Sequence, residues 1–165
     1  MKCIENAPLC ALLVAAHIAS AAPTPEIQLN ASTVDALDQW VSVSYEPTFD
    51  NGAASLNVVA CSNGNNGLES NGYSTLGSLP TFPLIGASPT VDGWNSPNCG
   101  KCYELRYQSG GVDRTIHVLA VDACARGFDL SLEAMNRLTD GQGVRLGRVD
   151  ATYRQVDNGV CGVRG

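Results

Sequence analysis

An all-β fold with one minor helix is what this sequence predicts, on three observations. Seventeen glycines stand against three phenylalanines and two tryptophans, the composition of a turn-rich β protein. Residues 41–45, 116–121 and 149–155 alternate side chains at a period of two, as strands do. Between residues 103–108 and 114–121 lies Ser109-Gly110-Gly111-Val112-Asp113, whose paired glycines suit a tight hairpin. At 165 residues, with 44% hydrophobic and 16% charged residues, the chain suits one compact domain with short tails.

Residues 1–21 read as a secretory signal peptide: Lys2 precedes an apolar run from Leu9 to Ala19, and Ala19-Ser20-Ala21 offers the small residues of a cleavage site. The run is too short for a membrane span, so a secreted, extracellular mature protein is expected, with no membrane insertion. Residues 22–40 form a linker or N-terminal arm that carries Asn30-Ala31-Ser32, a glycosylation acceptor at Asn30. The folded domain is expected over 41–165.

Val41-Ser42-Val43-Ser44-Tyr45 is a half-buried strand closed by Pro47. Val58-Val59-Ala60-Cys61 reads as a short buried segment running into Ser62-Asn63-Gly64-Asn65-Asn66-Gly67, a tight surface loop. Pro80, Pro83 and Pro89 among Gly77, Gly86 and Gly93 argue against long helices or central strands from Gly72 to Gly93, which predicts ordered coil. In the second hairpin strand both faces look largely buried, and His117, mid-strand, reads as a core histidine. Asp122 continues the alternation of Ile116, Val118 and Ala120 and leads into Ala123-Cys124-Ala125-Arg126-Gly127-Phe128-Asp129, the functional-site candidate. Leu132, Met135 and Leu138 share a helical stripe over 131–139, with Ser131 as N-cap and Gly141 beyond the end. Gly141-Gln142-Gly143 follows a helix and lacks dinucleotide-binding spacing, so it reads as a loop. Residues 148–156 return as the last strand.

The net charge is −6, and the cations after Lys101 are scattered arginines, which argues against nucleic acid and against a polybasic membrane surface. Neutral ligands fit better. Removing Cys3 and Cys10 with the signal leaves Cys61, Cys99, Cys102, Cys124 and Cys161 in an oxidising compartment, one of them odd. The chain is organised around Trp94-Asn95-Ser96-Pro97-Asn98-Cys99-Gly100-Lys101-Cys102, which combines an aromatic anchor, a turn and two cysteines that each reach a distant partner. A zinc knuckle needs a second ligand pair that the sequence lacks, and no metal or cofactor is expected. Residue spacing alone leaves the disulfide connectivity open.

Asp122 and Asp129 are a candidate acid/base pair for glycoside hydrolysis, which needs two carboxylates flanking the bond. Asp122 equally suits a hydrogen-bond acceptor for sugar hydroxyls, or an acceptor of backbone N–H groups that caps a turn. Ser62 and Asn63 offer a hydroxyl and an amide to a saccharide, and are also what a turn requires. A Ser-His-Asp triad is disfavoured because His117 is the sole histidine beyond the signal and no nucleophile elbow is present.

Val41–Tyr45, Cys61-Ser62-Asn63-Gly64, Gly93-Trp94-Asn95-Ser96-Pro97 with Cys99-Gly100-x-Cys102, Val121-Asp122 and Gly147-Arg148-Val149-Asp150, in this order, resemble the cerato-platanin family of small secreted fungal proteins. The resemblance covers residues 41–161. It implies a six-stranded double-psi β-barrel related to the first domain of expansins, with disulfides Cys61–Cys99 and Cys102–Cys161. It further implies a non-hydrolytic carbohydrate-binding protein with expansin-like wall loosening and elicitor activity, whose partners are chitin or N-acetylglucosamine oligomers and a host immune receptor. It is expected as a monomer or weak self-associate, retained in part at the fungal cell wall. The groove residues it implies are Asp122, Gly127 and Asp129, with Ser62 and Asn63 beside them. The alternative is a weak glycosidase or lytic transglycosylase using Asp122 with Asp129 or Asp150. Three positions depart from the family pattern: Tyr103 replaces its usual tryptophan, Asp129 its usual asparagine, and Cys124 has no counterpart. Cys124 reads as a small buried apolar residue or as an intermolecular partner.

Overall fold

The computed structural model describes residues 38–163. The expected signal peptide, most of the expected arm and Asn30 lie outside the described residues. Six strands, β1 Gln39–Tyr45, β2 Ile85–Ser88, β3 Cys102–Ser109, β4 Val112–Ala123, β5 Phe128–Leu130 and β6 Val149–Val156, close into a barrel in the order β1-β5-β2-β4-β3-β6. β1 with β5 and β2 with β4 run parallel, and the other pairs antiparallel. Two helices, α1 Leu132–Leu138 and α2 Gly143–Leu146, lie outside the ladder.

β3 and β4 form the expected hairpin, with Ser109 opposite Val112 and only Gly110-Gly111 between them, both at positive φ. Strand alternation sends Val43, Phe128, Leu105 and Val118 into the barrel, all essentially inaccessible. There Phe128 meets Tyr103 edge-on at 5.5 Å and Tyr153 at 5.2 Å between ring centres. Leu119 and Val121, on the other face of β4, are equally buried. A covering layer accounts for this: four short 3-10 turns between Pro47 and Ser78 each bury one apolar side chain, Phe49, Leu56, Leu68 and Leu76.

Helix α1 starts where the sequence places it. Ser131 Oγ accepts from Ala134 N at 3.0 Å and donates to the Pro83 carbonyl at 2.6 Å. The Asp50 carboxylate, distant in sequence, accepts from Leu132 N and Glu133 N at 2.7 and 3.0 Å, so two caps satisfy the first turn. Ala134, Met135 and Leu138 are its buried residues, with Leu132 only half-buried.

The disulfides join Cys61 to Cys99 and Cys102 to Cys161. The two half-cystines of the central stretch therefore staple the barrel to a loop on one side and to the C-terminal turn on the other.

Several expectations are corrected. The Pro-rich stretch from Gly72 to Gly93 contains a central strand, β2, wholly buried between β4 and β5. Pro83 and Pro89 flank the strand without entering its ladder, so neither removes a sheet hydrogen bond. Gly86 fits because a Cβ there would meet the Asp129 carbonyl at 2.6 Å. Strand β1 begins at Gln39, two residues inside the segment assigned to the arm. Val58 is 66% exposed where a buried segment was expected, since only Val59 and Cys61 turn inward. Gly143–Leu146 is a helical turn, with Gly143 N bonded to Asn136 Oδ1, in place of a plain loop. His117 is half-exposed and not in the core. It faces outward opposite Glu104, whose carboxylate binds His117 Nε2 at 3.2 Å and Arg154 at 2.6 Å across three strands.

Candidate functional site

The site is set by an irregularity in the ladder. Ala120 pairs with Gly86 and Asp122 with the next residue, Ala87, leaving Val121 as an extra residue on β4. A bulge of this kind reverses the alternation. Asp122 therefore leaves the interior series of Ile116, Val118 and Ala120 that simple alternation gives it, and comes to the outer face.

Ala87 also pairs with Asp129, and Asp129 with Ser44. Residues opposite one another in a sheet share a face, so Asp122, Ala87, Asp129 and Ser44 make one row across β4, β2, β5 and β1. The direct bond from Ser44 Oγ to Asp129 Oδ1 fits that placement. Ser42 extends the same face. It accepts a hydrogen bond from Arg148 Nη1 at 2.8 Å and lies opposite exposed Asp150.

Asp122 Oδ1 accepts two backbone hydrogen bonds, from Ala60 N at 2.9 Å and Ala123 N at 2.8 Å. It thus ties the segment before Cys61 to the end of β4, leaving Oδ2 without a protein partner among the described residues. A cleft of about 570 Å³ opens beside it, with Glu46, Thr48, Phe49 and Val58 in its wall. Gly127 places β5: its φ is +137°, and a Cβ there would lie 2.0 Å from the Ser42 carbonyl. Only glycine lets the two backbones approach this closely.

Cys124 is free and half-buried, less enclosed than the buried apolar residue read from the sequence. Its Sγ donates to Asp129 Oδ2 at 3.4 Å, and burial, aided by this carboxylate, pushes the thiol above its ordinary range. Among the described residues no group of three or more His, Cys, Asp and Glu side chains is placed to hold a metal ion.

Ser62 and Asn63 stand apart from the row. Ser62 is only 6% exposed. Asn63 is exposed, but its Oδ1 accepts from Trp94 Nε1 at 2.7 Å. Trp94 itself anchors nothing inside: it is 65% exposed, which corrects the reading of this residue as an aromatic anchor.

A family model described as Cerato-platanin matches residues 41–163. The chain belongs to the cerato-platanin family. A relative named Allergen Asp f 15, from Aspergillus fumigatus, is 48% identical over 161 residues, covering 98% of this chain and 97% of the relative. The protein named Cerato-platanin from Ceratocystis fimbriata f. sp. platani is 40% identical, covering 73% and 86%. Among solved structures, cerato-platanin 2 from M. perniciosa superposes with a TM-score of 0.72 at 45% identity, covering 76% of this chain and all of that one. The solution structure titled as the fungal elicitor Cerato-Platanin gives 0.64 at 38% identity, covering 73% and 96%.

Within the cerato-platanin barrel the three departures now have places. Tyr103 is buried with its hydroxyl 2.5 Å from Thr90 Oγ1, Asp129 accepts from Ser44, and Cys124 packs beside that carboxylate. The sequence reading missed Ser42, Ser44 and Arg148. The alternation of residues 41–45 already set both serines on the face opposite the valines, which is the signal that finds them.

Proposed function

We propose that this chain is a secreted, non-hydrolytic carbohydrate-binding protein that takes N-acetylglucosamine oligomers, or a related neutral wall polysaccharide, along its outer polar row. The observation that carries this reading is the placing of Asp122, Asp129 and Ser42 on one face, with Ser44, only 8% exposed, bonded to Asp129 and an open cleft beside Asp122. Hydroxyls and carboxylates in a line are acceptors and donors for successive sugar hydroxyls, and an acidic chain of net charge −6 suits a neutral ligand better than an anionic one.

How the carboxylates are held supports binding without cleavage. Asp122 and Asp129 both flank Ala87, two strand spacings or about 10 Å apart at the backbone. Each is engaged by the protein, Asp122 by the Ala60 and Ala123 amides and Asp129 by Ser44 and Cys124. A hydrolytic pair must converge on one bond. Asp150 lies on β6 opposite Ser42, at the far end of this face from Asp122, and is a poorer partner still. Relatives carrying the words allergen, antigen and elicitor support a second element of the proposal: the folded protein, outside the fungal cell or held at its wall, is detected by a host. Loosening of wall polymers follows if the row competes for contacts between chains.

Calorimetric titration with N-acetylglucosamine oligomers of increasing length tests the proposal, using the wild-type protein and Asp122→Asn with Asp129→Ala. Saturable heat that grows with length, and is lost in the double variant while the melting temperature holds, is the expected result. Undiminished binding by the double variant would remove the row from the function. Heat persisting after saturation, with new reducing ends, would establish turnover instead.

A further inference from the structure

Trp94 is held in place while its ring faces water, and this is unexplained by the row. Its indole N–H is fixed on Asn63 Oδ1 at 2.7 Å. The next residue, Asn95, has φ +59°, with its Oδ1 accepting from Asn66 N at 2.9 Å and its carbonyl from Asn66 Nδ2 at 2.8 Å. Gly64 leaves room for that amide: a Cβ there would meet Asn95 Oδ1 at 2.6 Å. The Cys61–Cys99 disulfide ties the same two loops together. A large apolar ring is thus presented on a braced base, where a loose surface tryptophan would turn inward or move freely.

The surroundings specify what can cover it. Neither residues 61–67 nor residues 93–100 contain a charged side chain, in a chain with 16 carboxylates in all. Amides take their place. A smaller cavity of about 220 Å³ opens on these loops beside Asn65, Asn66, Asn71 and Pro97, with Lys101 the one charged side chain in its wall. An apolar plane beside uncharged amides matches a ligand with one apolar face and a rim of hydroxyl or amide groups. A pyranose ring with equatorial substituents has that form: its axial C–H groups make a weakly electropositive face, which the negative face of an indole attracts.

We propose that Trp94 is a stacking platform for one pyranose unit of a neutral β-linked oligosaccharide, and that Asn63 is the positioning residue that keeps the ring oriented. The inference rests on the saccharide reading of this chain, yet it uses a loop pair separate from the outer row. The platform grips the ring face and not its substituents, so glucose and N-acetylglucosamine oligomers both stack on it.

The test uses the two tryptophans of the chain, Trp40 and Trp94. In the W40F variant Trp94 is the sole indole, and titration with chitohexaose and with cellohexaose should each give a saturable change in its emission. Calorimetry on W94A should show affinity weakened roughly tenfold or more, the size such a loss has when a stacking aromatic is truncated, with the melting temperature unchanged. W94F should recover part of it. N63A, which keeps the ring but frees it, should weaken binding less than W94A and increase the rotational mobility of the indole by fluorescence anisotropy. Wild-type affinity in W94A, or unmoved emission at saturation, overturns the platform. So does a W94A variant whose only change is loss of a dimer in sedimentation, since a second copy would then be the occupant. If W94A loses binding while D122N/D129A does not, the outer row fails and the platform stands. The reverse pattern removes the platform alone, and a wild-type protein that binds neither oligomer removes both.

Discussion

Replacing Asp122 by alanine separates the two roles that meet at that side chain. One carboxylate oxygen holds Ala60 N at 2.9 Å and Ala123 N at 2.8 Å, and the Ala60 amide belongs to the half-buried segment that carries Cys61 into its disulfide. A hydrogen bond to a charged acceptor contributes about 1.5 to 3 kcal/mol, and a stranded donor costs about as much again only where water is excluded. Ala123 is exposed and recovers water, so the loss rests mainly on Ala60, at about 2 to 3 kcal/mol. For a domain of this size that is a fall of roughly 6 to 12 °C in melting temperature. Asp122→Asn keeps an acceptor oxygen at the same place and should lose less than about 1 kcal/mol. Denaturant unfolding of the three proteins measures the difference directly, with an unchanged slope showing that the folded state is the same. An alanine variant as stable as wild type would show that these bonds add nothing in solution, and the account of how the loop is pinned to β4 would be wrong. The ligand-binding role then has to be read from Asp122→Asn, because binding lost in the alanine variant reports both effects at once.

Gly127→Ala should destabilise the barrel by about 3 to 5 kcal/mol, through a strained φ and overlap with the Ser42 carbonyl. Gly141→Ala, at φ +79° with open space around it, should cost only about 1 kcal/mol, and similar values for both would refute the close approach. The disulfides span sequence separations of 38 and 59, each worth about 4 kcal/mol in the chain-entropy description, so reduction should lower the melting temperature strongly. An unchanged melting temperature in excess reductant would count against that. Burial and Asp129 raise the Cys124 thiol, so its thiolate forms only as the pH climbs beyond the range where an ordinary cysteine ionises. Alkylation of the native protein should be slower than that of a free cysteine near neutral pH and accelerate on the alkaline side, and a rate profile matching that of a free thiol would contradict the placement.

By itself the sequence determined the β class, the β3–β4 hairpin with its Gly110-Gly111 turn, the start of α1 at Ser131 and the last strand. These follow from alternation, turn residues and caps, whose physics reaches only a few residues along the chain. Similarity to a family extended this to the barrel and the disulfide pairing, both of which the structure contains. The tertiary structure alone decided the rest. The five residues between Pro83 and Pro89 are too few to show a period, and four of them become β2 because β4 and β5 supply their hydrogen-bond partners on either side. Asp122 reaches the outer face through an extra residue at Val121, visible only against the register of β2. His117 read as a core residue from its place in mid-strand and Trp94 as an aromatic anchor, yet both lie at the surface, one bonded to Glu104 across the ladder and the other to Asn63 on a neighbouring loop. A side chain's direction along a strand is set locally, but whether that direction meets core, water or a partner depends on contacts far apart in the chain.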